Sequence, residues 1–176
     1  MRVLFAGAAV FLCCSVTAAE FDLIADGKAK CHIVSKETSS LPVQYAAREL
    51  AFFLAKISSG ERPEVAESPS PDRYNVFLGT VAELELTAQA TVEPNLLSPG
   101  GFAIVARNDG LYIIGGDPLG TLYGAYDILK KYGGIRWLFP GEEGEYFKTK
   151  TTISVPGQKT IRNPYLAFRW MELNGV

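Results

Sequence analysis

The sequence predicts an α+β fold, a two-layer sandwich in which two long helices cover one face of a mixed, mostly antiparallel sheet. Three observations carry this expectation. Residues 42–59 and 118–131 each hold apolar side chains at helical spacing. Between them lie short runs rich in β-branched and aromatic residues, bounded by glycine, proline and asparagine, enough for about five to seven strands. Residues 101–107 and 111–114, joined by Asn108-Asp109-Gly110, read as a tight hairpin, which makes the sheet at least partly antiparallel.

Taken in order, residues 1–19 read as a signal peptide. Arg2 is a minimal charged region, Val3 to Val16 is apolar but short for a bilayer span, and Thr17-Ala18-Ala19 supplies small residues before Glu20. The expectation is an exported protein whose final location is periplasm, cell surface or medium, with no membrane association after cleavage. The chain has 17 basic and 19 acidic residues and no basic block, which argues against nucleic acid and anionic membranes as partners. Of three cysteines, Cys13 and Cys14 leave with the signal, so Cys31 has no intrachain partner. Cys31 and His32 are neighbours on a predicted strand, 30–35, and point to opposite faces. They cannot converge on one atom, Cys31 reads as core, and no metal site or cofactor is expected.

Pro42 to Ser59 is the first helix, with Val43, Ala46, Ala47, Leu50, Phe53, Leu54 and Ile57 on one stripe and Gly60 as its stop. Residues 61–74 read as loop and 75–79 as a second strand. Thr80, with Glu83 three residues on, has the form of a capping box for a helical turn or two. The stretch 88–100 is irregular. After the hairpin, Gly115-Gly116 breaks the strand, Asp117 is placed to cap a helix, and Pro118 suits its first position. Leu119, Leu122, Tyr126 and Leu129, widened by Tyr123 and Ala125, mark its apolar stripe. Lys130 and Lys131 suit its C-terminal dipole, and Gly133-Gly134 ends it. Residues 135–139 and 151–155 complete the strands.

The glycine-rich turn has the outline of a phosphate loop, but Thr121 stands where such a loop needs lysine, and the glycines at 115, 116, 120 and 124 miss the dinucleotide spacing. The strand entering it belongs to a hairpin rather than to a parallel βαβ unit. The glycines therefore read as structural. A nucleotide-binding enzyme ranks last among the functions considered.

Two segments carry a resemblance. Gln44-Tyr-Ala-Ala-Arg-Glu-Leu50 with Lys56-Ile-Ser-Ser-Gly60, and Gly115-Gly-Asp-Pro-Leu-Gly-Thr-Leu-Tyr-Gly-Ala-Tyr-Asp-Ile-Leu129 with Gly134-Ile-Arg-Trp137 and Pro140-Gly141, resemble the N-terminal, non-catalytic domain of family 67 α-glucuronidases and related secreted bacterial proteins. The domain ahead of the barrel in family 20 and family 84 hexosaminidases is more distantly similar. The resemblance implies that residues 20–156 form an accessory domain. It also implies that 157–176 hold a linker and the start of a truncated (β/α)₈ barrel carrying the catalytic carboxylates. Hydrolysis needs two such groups roughly 5 to 9 Å apart, and none is expected here. Glu142, Glu143 and Glu145 read as a solvated rim, and Asp127 and Glu49 as outward-facing. Arg169, in Asn163-Pro-Tyr-Leu-Ala-Phe-Arg169, matches a sugar-contacting arginine of the related enzymes, with an interdomain ion pair as its alternative. Trp170 reads as an interdomain aromatic. The partners implied are the protein's own C-terminal barrel and an oligo- or polysaccharide. A stand-alone carbohydrate-binding module is the second hypothesis, its platform being Trp137, Tyr146 and Phe147.

Overall fold

A computed structural model describes residues 20–84 and 92–165. Eleven strands are present among them: β1 (Glu20–Ala25), β2 (Lys28–Ala29), β3 (Cys31–Val34), β4 (Val65–Ala66), β5 (Tyr74–Thr80), β6 (Phe102–Arg107), β7 (Gly110–Gly115), β8 (Arg136–Trp137), β9 (Glu145–Tyr146), β10 (Ile153–Pro156) and β11 (Thr160–Arg162). The two α-helices among the described residues are α1 (Leu41–Ser58) and α2 (Pro118–Ile128), the latter continued by a π-helical turn over Leu129–Gly133. The main sheet has the order β11-β6-β7-β5-β3-β4; β1 pairs with β10 and β2, and β8 with β9. The strands at β3, β4, β5 and β7 run parallel, while every other pairing is antiparallel, so the sheets are mixed and mostly antiparallel as expected.

Both helices pack on the same face of the six-stranded sheet, and the principal core lies between. Leu50, Leu54 and Ile57 of α1 meet Ile33, Leu78, Ile104 and Ile113 there. The period of two along β6 and β7 decides which side chains join it. Phe102, Ile104, Leu111 and Ile113 face the helices. Ala103, Val105, Tyr112 and Ile114 face the other way, where Val81, Leu84, Val92 and Leu97 cover them as a second small core. That second layer explains why every residue of β7 is buried.

The chain departs from the sequence reading in several places. Residues 20–25, for which no element is expected, form β1 and pair with β10, so 153–156 completes a separate three-stranded sheet rather than the main one. Residues 160–162, read as linker, pair antiparallel with β6 at the sheet edge, and the domain thus extends past 156. Only 136–137 of the run 135–139 is strand, and it joins β9 outside the main sheet. β7 is antiparallel to β6 but also parallel to β5, so the topological contrast with nucleotide folds rests on α2, which leads to β8 instead of returning to the sheet.

The stop of α1 also differs. Ser59, not Gly60, takes the left-handed conformation, at φ 52°. Gly60 is required by proximity: a Cβ there would stand 2.1 Å from the Gly27 carbonyl oxygen. Ser40 precedes α1 without a side-chain cap, and the Glu83 carboxylate accepts from its backbone N–H at 3.0 Å. Glu83 also accepts from Thr80 N at 2.7 Å, while Thr80 Oγ1 accepts from Glu83 N at 3.2 Å, so the capping box exists and reaches a second element.

Candidate functional site

The glycine turn is the first place to look for chemistry, and its donors are already occupied. Asp117 Oδ1 accepts from Gly120 N at 2.6 Å and Oδ2 from Gly100 N at 2.9 Å. Gly116 N donates to Gly101 O at 2.9 Å. Thr121 Oγ1, fully buried, donates to Gly79 O at 2.9 Å and ties α2 to the end of β5. A Cβ at Gly120 would lie 2.1 Å from Gly101 O, and one at Gly124 would lie 2.6 Å from Ile113 Cγ2. The turn is packed solid by residues 98–101, and the glycines serve close approach, in line with the sequence reading. Because Asp117 satisfies two amides, Asp117→Ala is expected to lower stability by about 1–2 kcal/mol in urea unfolding.

Close approach has a second effect. The buried face of α2 is Gly120, Thr121, Gly124, Ala125 and Ile128. Of the stripe expected to face inward, Ala125 and Leu129 are buried and Leu122 and Tyr126 pack partly buried against the core, while Leu119, 47% exposed, and Tyr123, 39%, are turned out. Small residues at i, i+4 marked the sheet-facing side; larger apolar residues misled because size normally tracks burial.

Beside this outward face runs a cavity of about 510 Å³. Tyr123, Tyr126 and Asp127 of α2 and Lys130 of the π-helical turn form one wall, Trp137 closes one side, and Arg162, Asn163 and Pro164 complete the lining. Trp137 meets Tyr126 and Phe53 edge-on, with centroids 5.1 and 5.3 Å apart. Tyr126 donates to Glu49 Oε2 at 2.8 Å; burial, then the neighbouring carboxylate, push its phenol well above the ordinary tyrosine value. Arg162 Nε stands 3.5 Å from Asp127 Oδ2. Asn163 Oδ1 accepts from Ser98 N and Oγ, and Nδ2 donates to Leu96 O, so its amide is spent internally.

The carboxylates read as solvated are therefore partnered. Asp127 and Glu49 serve the groove wall, and Glu145, with its side chain 11% exposed, lies 2.7 Å from Lys56 Nζ. That contact, against the cost of burial, raises the Lys56 ammonium above its ordinary value. Glu142 lies 3.4 Å from the same ammonium but is exposed. The aromatic platform of Trp137, Tyr146 and Phe147 does not form. Phe147 packs against the core, and Tyr146 pairs with Arg136 while Trp137 pairs with Glu145, which places Trp137 and Tyr146 on opposite faces of their ribbon. Cys31 sits in the main core, and burial pushes its thiol up to about 12, far from a nucleophile's range. His32 Nε2 donates to Ser68 O at 3.1 Å. Arg169 and Trp170 lie outside the described residues.

Comparison with known proteins fits this geometry. Residues 24–128 match the family described as glycosyl hydrolase family 67 N-terminus. Curated proteins give no significant match. Among solved structures, the chain is similar to a family GH115 4-O-methyl-α-glucuronidase with specificity for decorated arabinogalactans, at 20% identity, 80% of this chain, 18% of that one and a TM-score of 0.63. It is also similar to the β-hexosaminidase of Streptomyces plicatus, at 15% identity, 86% and 25% coverage and a TM-score of 0.55. The GH20 β-N-acetylhexosaminidase of Streptomyces coelicolor A3(2) gives 17%, 86%, 25% and 0.53. The chain thus spans about a fifth to a quarter of the length of these enzymes, and at such identities the likeness is one of fold.

Proposed function

We propose, because this chain belongs to the glycosyl hydrolase family 67 N-terminus family, that it is the accessory N-terminal domain of an exported, α-glucuronidase-like glycoside hydrolase. Its role is to stabilise a catalytic barrel encoded after it, in an enzyme of polysaccharide breakdown that works in the periplasm, at the cell surface or outside the cell. The observation that carries this reading is the family match itself, which runs from β1 through α2 and so takes in both helices and the parallel strands. The state of the carboxylates supports it: Asp127, Glu49 and Glu145 are each committed to a neighbour and hold structure together. Within this reading the catalytic pair belongs to the barrel, and Arg169 contacts substrate hydroxyls or a uronate carboxylate. The carbohydrate-binding alternative loses support with its platform.

The test is to read the coding frame beyond Val176 and assay its product on glucuronic-acid-substituted xylo-oligosaccharides. The expected frame continues for about 250 codons or more, and the product releases uronic acid. Arg169→Ala is then expected to lower kcat/KM about ten- to hundredfold, the worth of a charge-assisted hydrogen bond. A stop directly after Val176 would remove the reading.

A further inference from the structure

The outward face of α2 is built for contact rather than for water. The helix buries its small residues and presents Leu119 and Tyr123, one turn apart; Trp137, which lines the same cavity as Tyr123, is 36% exposed, and the chain continues from it into Leu138 at 70% and Phe139 at 52%. Large apolar side chains gathered on one surface mark an interaction site. A sugar is a poor occupant of the adjoining groove. Its hydroxyls need uncommitted donors and acceptors, and here the Tyr126 hydroxyl and the Asn163 amide are already engaged within the protein. An apolar protein surface asks for none of these.

The position of the groove in the chain says which protein. Asn163 and Pro164 form its rim, and Asn163 is pinned to residues 96 and 98, so the last described stretch of the polypeptide runs along the groove's edge. A domain attached there is held beside this surface at high effective concentration. We infer that the groove and the outward face of α2 are the seat of the next domain of the same polypeptide. That domain would dock by an apolar ridge, with a carboxylate at its margin to meet Lys130. The inference rests on the reading of this chain as an accessory domain, and adds to it which surface carries the coupling.

The experiment uses the protein translated from the extended frame. In it, L119E and Y123E together are compared with L41E, a charge placed at a 76%-exposed leucine on the first turn of α1. Both domains of the parent are expected to unfold in one transition. In L119E/Y123E that transition splits, and this domain melts at the temperature of the 176-residue chain alone, while L41E leaves it single. The same pair of substitutions in the 176-residue chain tests its own folding, since an acidic residue in the first turn of α2 suits the helix dipole. An extended protein whose transition stays single in L119E/Y123E overturns the inference and leaves the hydrolase reading standing. A stop codon after Val176 overturns both. A dimer of the 176-residue chain that L119E/Y123E dissociates would assign the face to a second copy, and heat from glucurono-oligosaccharide lost in Y123E would assign it to sugar; either overturns it.

Discussion

Gly120→Ala is expected to lower the stability of this domain by about 3 kcal/mol, the upper part of the range for forcing one methyl group into a packed site. On an isolated helix the same change would stabilise, by about 1 kcal/mol. The sign reverses because the added Cβ would stand 2.1 Å from the Gly101 carbonyl oxygen and 3.3 Å from Asp117 Oδ1. Backbone cannot rotate away as a side chain can. To relieve the clash, α2 must lift from β6, which pulls Gly124 off Ile113 and strains the bond from Thr121 to Gly79. Urea unfolding of the single variant, beside Gly141→Ala as a glycine with no neighbour within 4 Å, checks this. A loss at Gly120 no larger than at Gly141, where the cost is that of a positive φ of 97°, would show that the helix is not wedged onto the sheet by its glycines.

The second large effect concerns Glu83. Its carboxylate joins the start of α1 to the end of β5 by accepting from Ser40 N and Thr80 N, and Ser40 itself gives no side-chain cap. Glu83→Ala leaves both amides without that acceptor and removes the negative charge at the helix N-terminus. A loss of about 2–3 kcal/mol at neutral pH is expected. The pH dependence has a definite sign. Burial acts to raise this carboxyl, but the Ser40 and Thr80 amides outweigh it and hold it below its ordinary 4.5. A carboxylate depressed in the folded state contributes its stability in full above the unfolded value and loses it as pH falls through the folded one. Wild type and Glu83→Ala should therefore differ most near neutrality and converge as the pH drops below about 4.5. Equal unfolding midpoints at pH 7 would remove Glu83 as the cap of α1.

Much of this architecture is written locally. α1 has a broad apolar stripe bounded by Leu41-Pro42 and Ser59-Gly60, and the structure buries that stripe. Asp117-Pro118 announces the start of α2, and Gly134, at φ 85°, its end. The hairpin at 108–109 and the capping box at Thr80 were legible for the same reason: their partners are within a few residues. What escaped was settled by distant partners. β1 is a strand because residues 153–156 lie beside it, and 160–162 is a strand because β6 offers an open edge. The groove was hidden for a related reason. Tyr123, Tyr126, Asp127 and Lys130 follow i, i+3, i+4, i+7, a stripe as regular as the one proposed for the core. Only the clearance measured at Gly120 and Gly124 says which face the sheet takes.

The pairing of β1 with β10 also governs when this domain can form. Asp22 Oδ1 accepts from Ser154 Oγ across 132 positions, and Gly27 N donates to Thr151 O. The edge strand β11 arrives later still. A polypeptide made from its amino end cannot close its first strand until residue 156 has emerged, or seal the edge beside β6 until residue 162 has. Contacts of such long range make folding slow, because the entropy of closing the chain is lost before the contacts form. The nascent domain thus stays open through nearly its whole synthesis, with its earliest strand waiting for one of its latest.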